Sequence, residues 1–163
     1  MKNLFLGLIS IVLIASLSNC KKEDDEVSFE VKINDYSFTA SPIGTVIKDA
    51  SINKQRIDIQ GVDSKYRVNI AFQVDGLDDC VPTRKYTERD VLFMITYLEG
   101  NGTVVYHFPD FDTVEINVTS CENNVVSGTF SGDLIKSGGP ASIPDTLKLR
   151  NGVFNNVKYN ASF

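Results

Sequence analysis

The chain has 163 residues, and 16 lysines and arginines against 21 aspartates and glutamates give it a net charge of −5. No basic cluster interrupts that balance, which argues against a nucleic-acid partner, because neutralising phosphates requires grouped Lys and Arg. One histidine, three cysteines and no tryptophan leave little for nucleophilic catalysis: any Ser–His or Cys–His system must use His107.

Met1-Lys2-Asn3 precedes an apolar stretch from Leu4 to Ala15, followed by Ser16-Leu17-Ser18-Asn19-Cys20. One basic residue, a short apolar region and small residues before a cut site make a secretory signal. The stretch falls short of the roughly 20 apolar residues that a membrane span needs. Leu17-Ser18-Asn19-Cys20 resembles the lipobox of bacterial lipoproteins, in which a thiolate takes up a diacylglycerol where a hydroxyl would not. The run Lys21-Lys22-Glu23-Asp24-Asp25-Glu26 has no apolar residue to bury and reads as a solvated tether. A lysine and acidic residues just behind the modified cysteine also resemble the signal that sends Bacteroidota lipoproteins to the outer face of the outer membrane. The expected organisation is a cleaved signal over residues 1–19, a lipidated Cys20 with its tether over 20–26, and one domain over 27–163. The expected address is the outer membrane, surface-exposed, with its periplasmic face as the alternative.

Cleavage leaves about 144 residues, enough for one domain with a proper core. Setting Cys20 aside leaves Cys80 and Cys121, which in an oxidising compartment are expected to pair. Two cysteines and one distant histidine do not match zinc spacing.

Val27, Phe29, Val31 and Ile33 alternate with polar residues, Asn34-Asp35 marks a turn, and Tyr36, Phe38 and Ala40 alternate again, a hairpin signal. Alternation of the same kind covers Ile57 to Gln60, Arg67 to Val74 and Thr113 to Thr119, which means strands with one face in a core. Val91 to Leu98 is apolar on both alternating sets and is expected to be a central strand covered on both sides. Gly100-Asn101-Gly102 should turn it into a strand from Thr103 to Phe108. Val125 to Lys136 places Val126, Gly128, Phe130, Gly132 and Leu134 on one face, and its glycines signal a bulge or a close approach. After the loop Ser137-Gly138-Gly139-Pro140, a closing hairpin is expected from Leu147–Leu149, a turn at Asn151-Gly152, and Val153–Tyr159. No stretch has a helical period. About ten strands separated by turns predict an all-β class: a single antiparallel β-sandwich or barrel-like domain.

Val27–Ala40, the run VSGTFSGDL from Val125 and the terminal LRNGVFNNVKY from Leu149 resemble a family of small, uncharacterised Bacteroidota lipoproteins. Members open with a phenylalanine-rich hairpin, carry a Gly-Thr-Phe strand and close on Asn-Gly-x-Phe. The resemblance implies an all-β cell-envelope domain and lends no activity.

His107 lies in an apparent strand with no nucleophile-elbow pattern nearby and reads as structural. Asp75, Asp78 and Asp79 lie in one turn, and Asp110, Asp112 and Glu115 near another. Most such acids are solvated turn residues. Calcium at Asp75, Asp78 and Asp79 is the chemical alternative, since hard cations take loop oxygens, and a carboxylate-based hydrolase would need two of these acids across a cleft. Asp112-Thr113-Val114 and Asp145-Thr146-Leu147 resemble Bacteroidota O-glycosylation sites, which marks Thr113 and Thr146. The Asn-x-Ser/Thr triplets at Asn101, Asn117 and Asn160 carry no such expectation. No cofactor is implied. The function expected is a non-enzymatic, lipid-anchored module that binds a glycan, a protein or another envelope component. The alternative is a barrel carrying a small apolar ligand in space left by inward Gly128 and Gly132.

Overall fold

The computed structural model describes residues 26–87, 90–98, 104–107 and 113–161. The signal segment, Cys20, most of its tether, the Gly100-Asn101-Gly102 turn, Asp110 and Asp112 lie outside the described residues. Eleven strands follow one another: β1 Ser28–Ile33, β2 Tyr36–Ala40, β3 Ile43–Asp49, β4 Lys54–Val62, β5 Tyr66–Asp75, β6 Lys85–Thr87, β7 Val91–Tyr97, β8 Val104–His107, β9 Val114–Glu122, β10 Val125–Lys136 and β11 Thr146–Ala161. The all-β class holds. Pairing runs β2-β1-β11-β3-β4-β5-β7-β8-β10-β9-β6, and β11 also pairs with β10.

That extra pairing closes the sheet on itself. One wall is β3-β4-β5-β7-β8 and the other is β2-β1-β11-β10-β9-β6, and two short seams join them. At one seam β11 leaves β1 and pairs with β3 through Tyr159, Asn160 and Ala161. At the other, β10 leaves β9 and pairs with β8 through Ile135 and Lys136. The β3–β11 seam is parallel, a departure from the expected all-antiparallel sheet. It requires close approach, because a Cβ at Gly44 would stand 2.7 Å from the Lys158 carbonyl oxygen.

The core lies between the walls and is fed by the inward set of each alternating strand. Phe130 sits at its centre, with ring centroids 5.3 Å from Phe29, 5.9 Å from Phe93 and 6.5 Å from Phe154. Phe93 comes from the first wall and the others from the second, so these rings pack the walls together. Aromatic pairs of this kind add about 0.5–1.5 kcal/mol beyond the area they bury.

Two expectations are corrected. Asn151-Gly152 does not turn the chain: β11 runs straight through it, and the register with β10 slips between Phe130↔Gly152 and Gly132↔Leu149. The extra residue is Asn151, at φ 53°, so the dipeptide makes a bulge instead of a hairpin. Nor is β7 covered on both sides, since Leu92 and Met94 are exposed while Val91, Phe93 and Ile95 are buried.

Candidate functional site

Each end of the closed sheet is finished by a loop whose carbonyls are held by side chains. Between β5 and β6, Lys48 Nζ donates to Leu77 O (2.9 Å), Gln55 Nε2 to Asp78 O (2.9 Å), Tyr159 Oη to Asp79 O (2.7 Å) and Tyr86 Oη to Pro82 O (2.8 Å). Cys80, in the same loop, is bridged to Cys121 on β9, with Cα atoms 5.6 Å apart. The expected disulfide is present, and it fixes the loop across the mouth of the sheet.

Asp75, Asp78 and Asp79, the acids singled out for calcium, lie at the end of β5 and in this loop. The carbonyls of Leu77, Asp78, Asp79 and Pro82 each accept one of these side-chain hydrogen bonds. Asp75 and Asp79 are each 86 % exposed and face their own lysines, Lys54 and Lys48, at 3.5 Å. Buried Gln55 Oε1 has no partner among the described residues, but one amide oxygen falls far short of the six to eight that calcium takes. Among the described residues no three His, Cys, Asp or Glu side chains are grouped to hold a metal.

The loop between β10 and β11 is held in the same manner. Tyr106 Oη donates to Pro144 O (2.8 Å), and Lys136 Nζ, only 8 % exposed, donates to Pro140 O and Ile143 O and pairs with Asp145 at 2.7 Å. His107 belongs to this fastening. Its Nδ1 lies 2.8 Å from Ser137 Oγ, a pairing that the sequence alone did not reveal because the two are joined only by the fold. The pair is exposed. It ties the loop to β8. Glu115, from the second acid group, pairs with Lys85 across β9 and β6.

Burial pushes the phenols of Tyr86, Tyr106 and Tyr159 above the ordinary tyrosine value. All three are the hydroxyls that hold the loops, so each loop depends on protonated tyrosine.

The space expected around the inward glycines is filled. A Cβ on Gly128 would meet Phe154 Cζ at 2.5 Å and Asn117 O at 2.4 Å, and one on Gly132 would meet Val114 Cγ1 at 2.6 Å. The modification candidates differ in access. Thr113 is half-buried and its Oγ1 donates to Asp133 O at 3.3 Å, whereas Thr146 is exposed at the start of β11. Asn117 and Asn160 lie on β9 and β11, and Asn101 lies outside the described residues.

Two surface features remain. Lys65 places its ammonium over the rings of Tyr36, Tyr66 and Tyr97, at 5.0, 5.7 and 6.0 Å from the centroids, while Asp63 accepts from the Tyr36 hydroxyl at 2.8 Å. This cluster was not legible beforehand, since its members come from β2, the β4–β5 turn, β5 and β7. On the first wall Met94 stands opposite His107, and across the β8–β10 seam His107 stands opposite Ile135. With Leu92 they expose apolar side chains on adjoining strands at 45 %, 37 % and 37 % for Leu92, Met94 and Ile135. No family model matches the chain, and no curated protein or solved structure matches it.

Proposed function

We propose that this chain is a lipid-anchored envelope protein of the outer membrane, held by Cys20, whose β domain is a non-enzymatic binding module. The observation that carries the reading is the distribution of its three cysteines. Cys80 and Cys121 are spent in a bridge, which suits an oxidising compartment outside the cytoplasm. The third stands at the end of an export signal, in the setting Leu17-Ser18-Asn19-Cys20. The motifs shared with small Bacteroidota lipoproteins, and the acidic tether behind Cys20, support the surface address.

Binding, in this reading, belongs to the outside of the domain. The positions of the inward glycines are filled by Phe154 and Val114, while Leu92 and Met94 on the first wall and Ile135 across the β8–β10 seam stand outward. An envelope protein or a glycan is the partner class.

The test is metabolic labelling with an alkyne fatty acid, followed by fractionation and protease shaving of whole cells. The native chain is expected to carry label, to sediment with the outer membrane and to be clipped from outside. A Cys20→Ala chain that still takes label and sediments with membranes would sink the anchor. A glycan array and cross-linking with Leu92→Ser/Met94→Ser as control address the binding face.

A further inference from the structure

The described fold begins at Glu26, only a short tether away from Cys20. However that tether runs, the chain from Cys20 to Val27 reaches at most about 25 Å, at roughly 3.3–3.6 Å per residue. Val27 therefore stays within that distance of the anchor, and so its surroundings stay within reach of the membrane.

That surroundings is apolar and exposed. Val27, at the entry to β1, is 54 % exposed; Ile43, at the start of β3, 66 %; and Val62, at the end of β4, 47 %. The ladder places them together. Phe29 stands opposite Ala40, so β1 starts where β2 ends, and after the two linking residues Ser41 and Pro42 the chain enters β3 at Ile43. Ile43 is opposite Gln60, which makes Val62 its diagonal neighbour on the same outer face, about 7–8 Å away. Gly61 holds this corner shut, its Cα side lying against Phe29 and Ala40. Beyond Val62 stand Tyr36 and Lys65, with the Lys65 ammonium 5.0 Å above the Tyr36 ring. Aliphatic tips flanked by a tyrosine and a long-stemmed lysine are the chemistry that suits a bilayer interface, apolar inward and polar toward the headgroups.

We infer that the corner Val27–Ile43–Val62 rests in the surface of the phospholipid bilayer that carries the anchor, and so fixes the orientation of the domain. The inference takes from the proposed function only the presence of an anchor at Cys20. The net charge of −5 and the acidic tether give no attraction to anionic headgroups, so the contact is apolar and salt-independent.

The chain from Cys20 onward is coupled through that thiol, the one not in the bridge, to a maleimide lipid in phosphatidylcholine vesicles. This supplies the anchor whatever the cell does to Cys20, so a failed labelling experiment and a failed corner are separate results. Because the chain has no tryptophan, Ile43→Trp, Val62→Trp and, as control, Ile52→Trp in the β3–β4 turn are single reporters. Brominated phosphatidylcholine is expected to quench the first two at least twofold more than the third, equally at low and high salt. Adding Val27→Ser and Ile43→Ser to the Val62→Trp chain is expected to halve its quenching. Equal quenching at all three positions, loss of quenching with salt, or a Val62→Trp signal indifferent to the two serines would each overturn the inference.

Discussion

A tyrosine hydroxyl donates to a carbonyl only while it keeps its proton, and this chain relies on that bond three times. Tyr86, Tyr106 and Tyr159 each hold a loop carbonyl at 2.7–2.8 Å, and burial raises the pKa of each. Since the folded state then binds protons more tightly than the unfolded chain, the stability these groups contribute is fully present below the ordinary tyrosine value of about 10. It is lost as pH rises through the higher folded values. Urea midpoints are therefore expected to fall as pH is raised above about 10, and the triple Tyr→Phe chain to show a shallower fall. Tyr159→Phe alone should cost about 0.5–1.5 kcal/mol at neutral pH, the usual net worth of one hydrogen bond, since the Asp79 carbonyl is only partly buried. An alkaline slope unchanged in the triple variant would refute the assignment.

At the scale of the element, β11 shows what local pattern conveys and what it conceals. Leu147 to Tyr159 was legible as strand, and Asn151 was legible as a residue that tolerates φ > 0. A turn and a bulge both want that residue, however, and only the neighbouring strands distinguish them: β1 and β10 continue past Asn151 on either side. A second such residue, Asn156 at φ 50°, produces the slip between Val126 and Gly128. Asn151→Gly is expected to be nearly neutral and Asn151→Ala to cost about 1–2 kcal/mol, the usual penalty for a β-carbon in the left-handed region; thermal melts of the two variants check this. β7 misled in the other direction. Its two apolar sets read as double cover, yet one set is surface, because nothing in the strand says whether a second layer lies over Leu92 and Met94. The strands β3 and β6 were not anticipated at all. β3 has Gly44 where a pattern would want bulk, and β6 is three residues long.

At the scale of the molecule, the class and the Cys80–Cys121 pair were readable because the class follows from alternating residue types and the pair from the count of cysteines, with no need of topology. Closure was not readable. It depends on β3 finding β11, near opposite ends of the described chain, and no local signal encodes a pairing of three residues in parallel. The same holds for Ser137 with His107, and for Lys65 with its three tyrosines. Yet the seam concentrates several functions of the fold in few residues. Tyr159 pairs with Gly44, donates to Asp79 O and lies with its hydroxyl 3.4 Å from Cys121 Sγ, so the strand that closes the sheet also holds the disulfide-bearing loop. The bridge in turn limits how far β9 and that loop can separate when the seam opens. Its contribution is about 4 kcal/mol for a loop of this size in the chain-entropy model. Removing residues 159–163 should therefore cost more than Tyr159→Phe, at least about 3–5 kcal/mol, because a whole buried ring is lost with the seam. Hydrogen exchange of the shortened chain is expected to quicken across Ile43–Asp49 and the Gly76–Arg84 loop while β9 and β10 stay protected. Reducing the bridge in that chain should then unfold it, whereas the full-length chain should survive reduction with a lowered midpoint. Unchanged protection of β3 in the shortened chain would show that the walls hold together without the seam, and that the core around Phe130 alone closes the sheet.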